Sequence, residues 1–272
     1  MKSIKSIDVL FITVSYNNFN STRDYIESFR GLKFNSKSKL LVVDNSISTD
    51  LELKSYIEQG DGDVVYIRQD ENLGYISGCN YGLAYYRKYY SIEPEVVIYS
   101  NNDIVFESDD FIKVVRDKFK RNPDLGIIAP YVIDTNTGRD LNPFLVSRPT
   151  KKMMVKLKVI YSSYFVSKIF NSLPRRNKKT INNNFDEIYA SHGCIFIMSA
   201  LLLREKIDDG YFLYGEEITV AERCLSLRKT VVYMEDIKVK HISHATTGKV
   251  FSQKEYEFKK NSIKYINNKY TW

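Results

Sequence analysis

Cysteine, histidine and tryptophan are scarce in this 272-residue chain, which holds three Cys, three His and one Trp. Cys79, Cys194 and Cys224 are isolated. An odd number with no Cys-x-x-Cys spacing argues against a disulfide framework or a structural zinc site. No apolar run reaches the roughly 18 residues that a membrane span needs, so none is predicted. Met1 to Lys5 lead straight into a strand-like segment, so no secretory signal is expected and a reducing cytoplasm is the simplest compartment. Gly (12) and Pro (6) are too few for a collagen, and 43% hydrophobic residues are too many for a disordered chain.

Acidic residues are also missing, but in one place only. Between Asp140 and Asp186 there are none, while Arg148, Lys151, Lys152, Lys156, Lys158, Lys168, Arg175, Arg176, Lys178 and Lys179 fall there. The chain as a whole carries a formal charge of +7; without these ten residues, 30 basic groups face 33 acidic ones. The protein is therefore a slightly acidic body with one basic segment. A general reading as a nucleic-acid binder does not follow from its charge.

What is present in the first half is an alternation. Asp8 to Tyr16, Lys39 to Asp44, Val64 to Arg68 and Glu95 to Tyr99 are apolar, β-branched runs. Polar-periodic segments near residues 20–30, 50–59 and 77–90 separate them. Strands alternating with helices predict βαβ units and a mainly parallel sheet. A helix is predicted over Phe111 to Arg121 and a strand over Leu125 to Asp134. Beyond these, helices are expected over Lys151 to Phe170, Leu201 to Glu205, Glu217 to Arg228 and Ser252 to Asn268. Strands are expected over Cys194 to Met198, Thr230 to Tyr233 and Ile237 to Ile242. With no internal repeat and no Pro/Gly/Ser linker, one domain over 1–272 is favoured. Its parts are a half at 8–134, a second half at 135–249 holding the basic segment 141–185, and a C-terminal helix at 250–272.

The informative residues stand where apolar strands stop. The first strand ends in Thr13-Val14-Ser15-Tyr16-Asn17, the second in Asp44-Asn45-Ser46, the fourth in Asn101-Asn102-Asp103. In open α/β sheets ligands bind beyond the carboxyl ends of strands, so these clusters line one crevice. Each alone is equally a turn or helix cap. Asn72-Leu73-Gly74 and Gly78-x-Asn80-x-Gly82 read as a Gly/Asn-rich lead-in to a helix, whose N–H groups can face phosphate. Asp103 at a strand end suits a hard divalent cation. With one of the two neighbouring histidines, His241 or His244, it makes a mixed oxygen and nitrogen site compatible with Mn²⁺ or Mg²⁺. Glu216-Glu217 at a helix start are carboxylates for acid–base work, or plain dipole-complementing residues.

In this order, the clusters resemble family 2 glycosyltransferases with the GT-A fold, over roughly residues 8–245. The matching pieces include Val42-Val43-Asp44-Asn45-Ser46 with Asp50, Gly78-Cys79-Asn80-Tyr81-Gly82, Gly193 to Met198, Gly210 to Glu217 and Val239-Lys240-His241. The likeness is greatest to the bacterial branch that includes rhamnosyltransferases and other O-antigen or capsule enzymes. The resemblance implies a Rossmann-like mixed α/β sheet whose 8–134 half binds a nucleotide-diphospho-sugar and whose 135–249 half serves acceptor and catalysis. It implies that Asp44 holds the base or ribose, and that Thr13, Ser15 and Asn17 touch the nucleotide. Asn72, Gly74, Gly78, Asn80, Asn101 and Asn102 would lie along the nucleotide and donor sugar. It further implies that Asp103 and His241 hold Mg²⁺ or Mn²⁺ on the diphosphate. Glu217, with Glu216 just before it, would be the catalytic base. The metal motif departs from the family's pattern in being Asn-Asn-Asp, with one anionic residue. The usual Glu-Asp pair is here Glu216-Glu217.

The basic segment falls where such enzymes build the acceptor side. One reading is an amphipathic helix on an anionic membrane, with Met153, Met154, Leu157, Ile160, Tyr161, Tyr164 and Phe165 dipping in. It suits a polyprenyl-diphosphate-linked glycan acceptor and a place on the inner face of the plasma membrane. The other is a helix packed on the domain, with Lys as its solvated face. Two further functions stand against glycosyl transfer. A sugar-phosphate nucleotidyltransferase would show a Gly-rich basic signature after the first strand, where this chain has Asn17-Asn18. A nucleic-acid binder leaves the strand-end clusters unexplained.

Overall fold

The computed structural model describes residues 8–33, 37–90, 92–172, 187–242 and 252–272. The expected alternation forms. β1 (Val9–Ser15), α1 (Phe19–Arg30), β2 (Ser38–Asp44), α2 (Leu51–Glu58), β3 (Val64–Arg68), α3 (Tyr75–Tyr89) and β4 (Val96–Asn101) follow one another. β1 shows why the apolar runs are nearly continuous. Successive side chains point to opposite faces, and both faces are covered. Val9 and Phe11 pack under Tyr25, Ile26 and Phe29 of α1. Leu10 and Ile12 pack under Ile76, Cys79, Leu83 and Tyr86 of α3. All four β1 residues are fully buried, and each such side chain contributes roughly 1.5–3 kcal/mol.

The second half adds β5 (Ile104–Phe106), α4 (Phe111–Arg121), β6 (Leu125–Asp134), α5 (Lys151–Ile160), α6 (Tyr164–Ser172), β7 (Glu187–Ile188), β8 (Ile195–Ser199), α7 (Glu216–Ser226), β9 (Thr230–His241) and α8 (Gln253–Lys269). A 3₁₀ helix, Ala200–Arg204, stands where a short helix was expected. The described strands make one sheet in the order β3-β2-β1-β4-β8-β6-β9-β5, with β7 on β9. β1 to β4 are parallel, as expected. The rest departs from a mainly parallel sheet: β8 runs antiparallel between β4 and β6, and β5 and β7 run antiparallel to β9. The sheet is mixed α/β, flanked by helices.

Two expected elements divide differently. Where two strands were expected there is one, Thr230–His241, because β9 continues through Glu235 and Asp236 with a register slip opposite Pro130 and Tyr131. The Lys151 to Phe170 helix is broken into α5 and α6 at Tyr161 to Ser163. The basic loop with Arg175, Arg176, Lys178 and Lys179, and His244, lie outside the described residues.

Gly78 and Gly82 do not lead into a helix; they lie inside α3, which already begins at Tyr75. Their role is close packing. A Cβ on Gly78 would sit 2.8 Å from Val14 Cγ2 and 3.2 Å from Asn45 Nδ2. Gly78→Ala should therefore push α3 off the ends of β1 and β2, at a cost of about 1–3 kcal/mol. A lowered urea midpoint with unchanged slope is the expected result.

Candidate active site

The chain runs from β1 outward to β2 and β3, then returns to β4 on the other side of β1. That reversal opens a crevice beyond the carboxyl ends of β1 and β4. The predicted nucleotide residues gather around it, but in different roles.

Thr13 and Ser15 are wholly buried. Thr13 Oγ1 donates to the Ser100 carbonyl at 2.9 Å, and Ser15 Oγ shares a 2.8 Å hydrogen bond with Thr22 Oγ1. Asn102 Nδ2 donates to the same Thr22 oxygen at 2.8 Å. Tyr25 and Ser100 share a further 2.6 Å bond between hydroxyls. These side chains form a polar floor that fixes β1, α1 and β4 to one another. Asn17 is exposed above it in a left-handed conformation (φ 49°), its N–H donating to Ser46 Oγ at 2.9 Å. Tyr16 beside it is 43% exposed at the strand end, an aromatic surface that the sequence did not single out.

Asp44 is buried at the end of β2, and its carboxylate shapes the following turn. Oδ1 accepts from Ser46 N at 2.9 Å, and Oδ2 accepts from Asp50 N at 3.1 Å and from the Tyr66 hydroxyl at 2.5 Å. Burial pushes its pKa up. The hydrogen bonds from Ser46, Tyr66 and the Asp50 amide outweigh this and hold the carboxyl below its ordinary value. Asp44 is thus an anion at neutral pH, fixed in place, while Asp50 caps α2 through Leu53 N.

Asn72 Oδ1 accepts from Gly74 N at 3.0 Å, and Asn45 Nδ2 donates to the Gly74 carbonyl at 3.0 Å. Gly74 has φ +79°, and a Cβ there would lie 2.2 Å from the Phe212 carbonyl oxygen. Its lack of a side chain lets the 210–215 loop close over the start of α3. Asn80, from inside α3, holds the same region: Nδ2 donates to the Ile207 carbonyl at 2.8 Å and to Asp209 Oδ2 at 3.1 Å.

Asp103 and His241 meet through β5, a strand the sequence did not reveal. β5 pairs with β9 so that Ile104 faces His241. His241 Nε2 then stands 3.2 Å from Asp103 Oδ1. That oxygen is buried and has no hydrogen-bond donor. An orphaned carboxylate oxygen beside an imidazole nitrogen fits a divalent cation. Among the described residues no group of three or more His, Cys, Asp and Glu side chains is arranged to hold a metal. Two such side chains are fewer than a divalent cation needs, and any cation here would take its remaining ligands from elsewhere. Asn101 is held by its N–H, which donates to the Cys194 carbonyl at 2.8 Å.

His192 was also missed. It precedes Gly193, and its ring lies 6.4 Å from that of His241. Asn142 Oδ1 accepts from His192 N at 2.7 Å, and Cys194 N donates to His192 Nδ1 at 3.2 Å. As one of three histidines in the chain, standing just before the matched segment Gly193 to Met198, it offered a signal.

The two glutamates separate. Glu216 Oε2 accepts at 2.8 Å from the N–H of Gly215, the residue just before its own helix. Glu217 turns toward the β7–β8 loop. A Cβ on Gly193 would lie 2.8 Å from Glu217 Oε1, so only glycine leaves the carboxyl its place. Burial first, and the neighbouring Glu216 charge second, push the Glu217 carboxyl above its ordinary value; the Gly193 amide opposes them. Burial raises Glu216 as well. Tyr214, just before the pair, is left-handed (φ 66°), a strained conformation for a non-glycine residue. Glu222, which the sequence did not point to, anchors the helix from below. It accepts from Arg148 Nε at 2.7 Å and from the Tyr189 hydroxyl at 2.6 Å.

Residues 10–201 match the glycosyl transferase family 2. Solved structures share the fold at low identity. The mannosyltransferase PcManGT from Pyrobaculum calidifontis, in complex with GDP-Man and Mn²⁺, is 14% identical with a TM-score of 0.56, over 89% of this chain and 59% of that one. GalNAc-T7 with UDP, GalNAc and Mn²⁺ is 14% identical with a TM-score of 0.60, over 92% of this chain and 47% of that one. S. aureus TarS 1–349 is 12% identical with a TM-score of 0.57, over 87% and 60%. The chain thus spans about three fifths or less of the chains it resembles. No curated protein matches it. The family match covers well over half of the residues, including β1 to β4 and their polar ends, and the chain belongs to glycosyl transferase family 2.

Proposed function

We propose that this chain is an inverting glycosyltransferase. It moves a sugar from a nucleotide-diphospho-sugar to an acceptor hydroxyl, and the acceptor is a lipid-linked glycan of bacterial surface polysaccharide synthesis. The observation that carries the reading is that two acidic sites lie beside one segment, 192–194: the His192 ring is 6.4 Å from that of His241, and Gly193 abuts Glu217. Asp103 with His241 stands at the end of β4, and Glu217 stands against Gly193 at the start of α7. Family membership favours sugar transfer over nucleotidyl transfer or nucleic-acid binding.

Asn17 and the exposed face of Tyr16 bind and orient the nucleoside, on a turn that the buried Asp44 carboxylate holds in place through Ser46 N and Asp50 N. Asp103 and His241, with His192 beside them, would hold Mg²⁺ or Mn²⁺, which would supply positive charge against the departing diphosphate. The neighbours PcManGT and GalNAc-T7 were each solved with Mn²⁺. Glu217 takes the acceptor hydroxyl proton as its oxygen attacks the anomeric carbon. The bond from that carbon to the diphosphate oxygen breaks, and its electron pair leaves with the nucleoside diphosphate. A single displacement inverts the centre and needs one base.

Incubation with a panel of nucleotide sugars and a polyprenyl-diphosphate-linked acceptor tests this. One donor should give nucleoside diphosphate and a glycoside of inverted configuration. Retained configuration, or release of pyrophosphate instead, would overturn the reading.

A further inference from the structure

The helical pair α5 and α6 turns a different face to solvent from the one the spacing suggested. Met154, Ile160 and Tyr161 are buried, not available to a membrane. Met154 packs with Ile218 and Ala221 of α7 and Ile266 of α8; Ile160 and Tyr161 pack with Tyr256 of α8. The exposed apolar residues are Met153, Val155, Val159, Phe165, Val166, Ile169 and Phe170. Their exposure is high where it matters most, at 64% for Val159, 77% for Phe165 and 62% for Ile169.

Charge decides what such a surface fits. Lys152, Val155, Lys156 and Val159 recur at the i, i+3, i+4, i+7 spacing of one helix face. Lys151, Lys158 and Lys168 flank it, all exposed. No acid lies within the two helices to neutralise these five lysines. Arg148, in the same acid-free stretch, is not part of this surface, because it is bound to Glu222.

We propose that this face of α5 and α6 seats the protein on an anionic lipid bilayer. The apolar side chains enter the acyl boundary, and the lysines extend to the headgroup phosphates. An interface for another protein would carry both signs of charge at its rim; this one carries a single sign, which an anionic lipid surface complements. Because Met154 packs on α7, the helix that bears Glu217, the seat and the crevice belong to one packed unit. The inference deepens the lipid-linked acceptor reading and rests on it for its purpose.

The test is co-sedimentation of the full chain with vesicles of equal parts phosphatidylglycerol and phosphatidylcholine, against phosphatidylcholine alone. Wild type should bind the anionic vesicles at least about tenfold better, since each lysine near the surface adds about fivefold. Binding should fall at about 0.5 M salt. Phe165→Ser with Ile169→Ser should weaken it about tenfold or more. Lys152→Glu with Lys156→Glu should do the same. All four positions are exposed, so unchanged melting curves are expected to accompany both losses.

Wild type that fails to pellet, or pellets equally with both variants, overturns the proposal. So does self-association in free solution that Phe165→Ser with Ile169→Ser abolishes while no form binds vesicles. The assay uses no donor. Lost vesicle binding with intact donor binding removes the membrane seat alone; absent donor binding with intact vesicle binding removes the transferase reading alone.

Discussion

Glu217→Gln should abolish sugar transfer while leaving donor binding nearly intact. The substitution keeps the size and the acceptor oxygen that meets the Gly193 amide, and removes the ability to take a proton. General bases contribute about 10²–10⁴-fold, so kcat should fall at least a hundredfold with little change in the donor dissociation constant. The pH profile adds a second readout. Burial and the Glu216 charge raise the Glu217 carboxyl above its ordinary value. A base must be deprotonated to act, so activity rises with pH through that raised value and is lost below it. Glu216→Gln removes the neighbouring negative charge, and the acid limb should move to lower pH. The Gly215 amide keeps an acceptor in that variant, so this local hydrogen bond is preserved. An acid limb unmoved by Glu216→Gln, or near wild-type turnover in Glu217→Gln, would remove Glu217 from the reaction. The same raised pKa has a stability consequence of fixed sign. Between the unfolded and folded values the native state binds more protons, so this group's contribution to stability falls as pH rises.

Asp103→Asn should weaken cation-supported donor binding about a hundredfold, as loss of a ligand outweighs the 10–100-fold effects of outer contacts. Asn101, Asn102 and Asp103 form the β4–β5 turn, and Asp103 supplies its one charge. The substitution is isosteric, and the oxygen concerned accepts no hydrogen bond that the fold would lose. Stability should therefore stay near wild type while the Mn²⁺ titration shifts to higher concentration. An unshifted titration would deny Asp103 a place in the site.

The sequence showed the crevice better than its closure. β1 to β4 were legible because parallel strands covered on both faces leave unbroken β-branched runs, and their polar ends stand out against them. β5 was not, because the three residues Ile104 to Phe106 are too short to show a period. Yet β5 alone brings Asp103 to His241. Gly78 suggested a ligand-facing loop, but the same absence of a side chain serves helix packing against Val14. Thr13 and Ser15 stood at the right strand end, and only the fold shows that their hydroxyls face Thr22 and Ser100 beneath the crevice. In α5, helical spacing correctly identified an apolar stripe but not its direction. Met154 and Ile160 face α7 and α8, whose approach is a matter of tertiary packing. The net charge had been traced to the basic segment; the structure removes Arg148 from it, since Glu222 neutralises that residue beneath α7.

The central claim is that the crevice at the ends of β1, β2 and β4 binds a nucleoside diphosphate through a cation on Asp103 and His241. Calorimetric titration with UDP, GDP and dTDP, each in Mn²⁺ and in EDTA, tests it most directly. At least one should bind in Mn²⁺, about tenfold or more weakly in EDTA, and as weakly to Asp103→Asn in Mn²⁺ as to wild type in EDTA. Equal affinity in Mn²⁺ and EDTA, or binding of none of the three, would contradict the account.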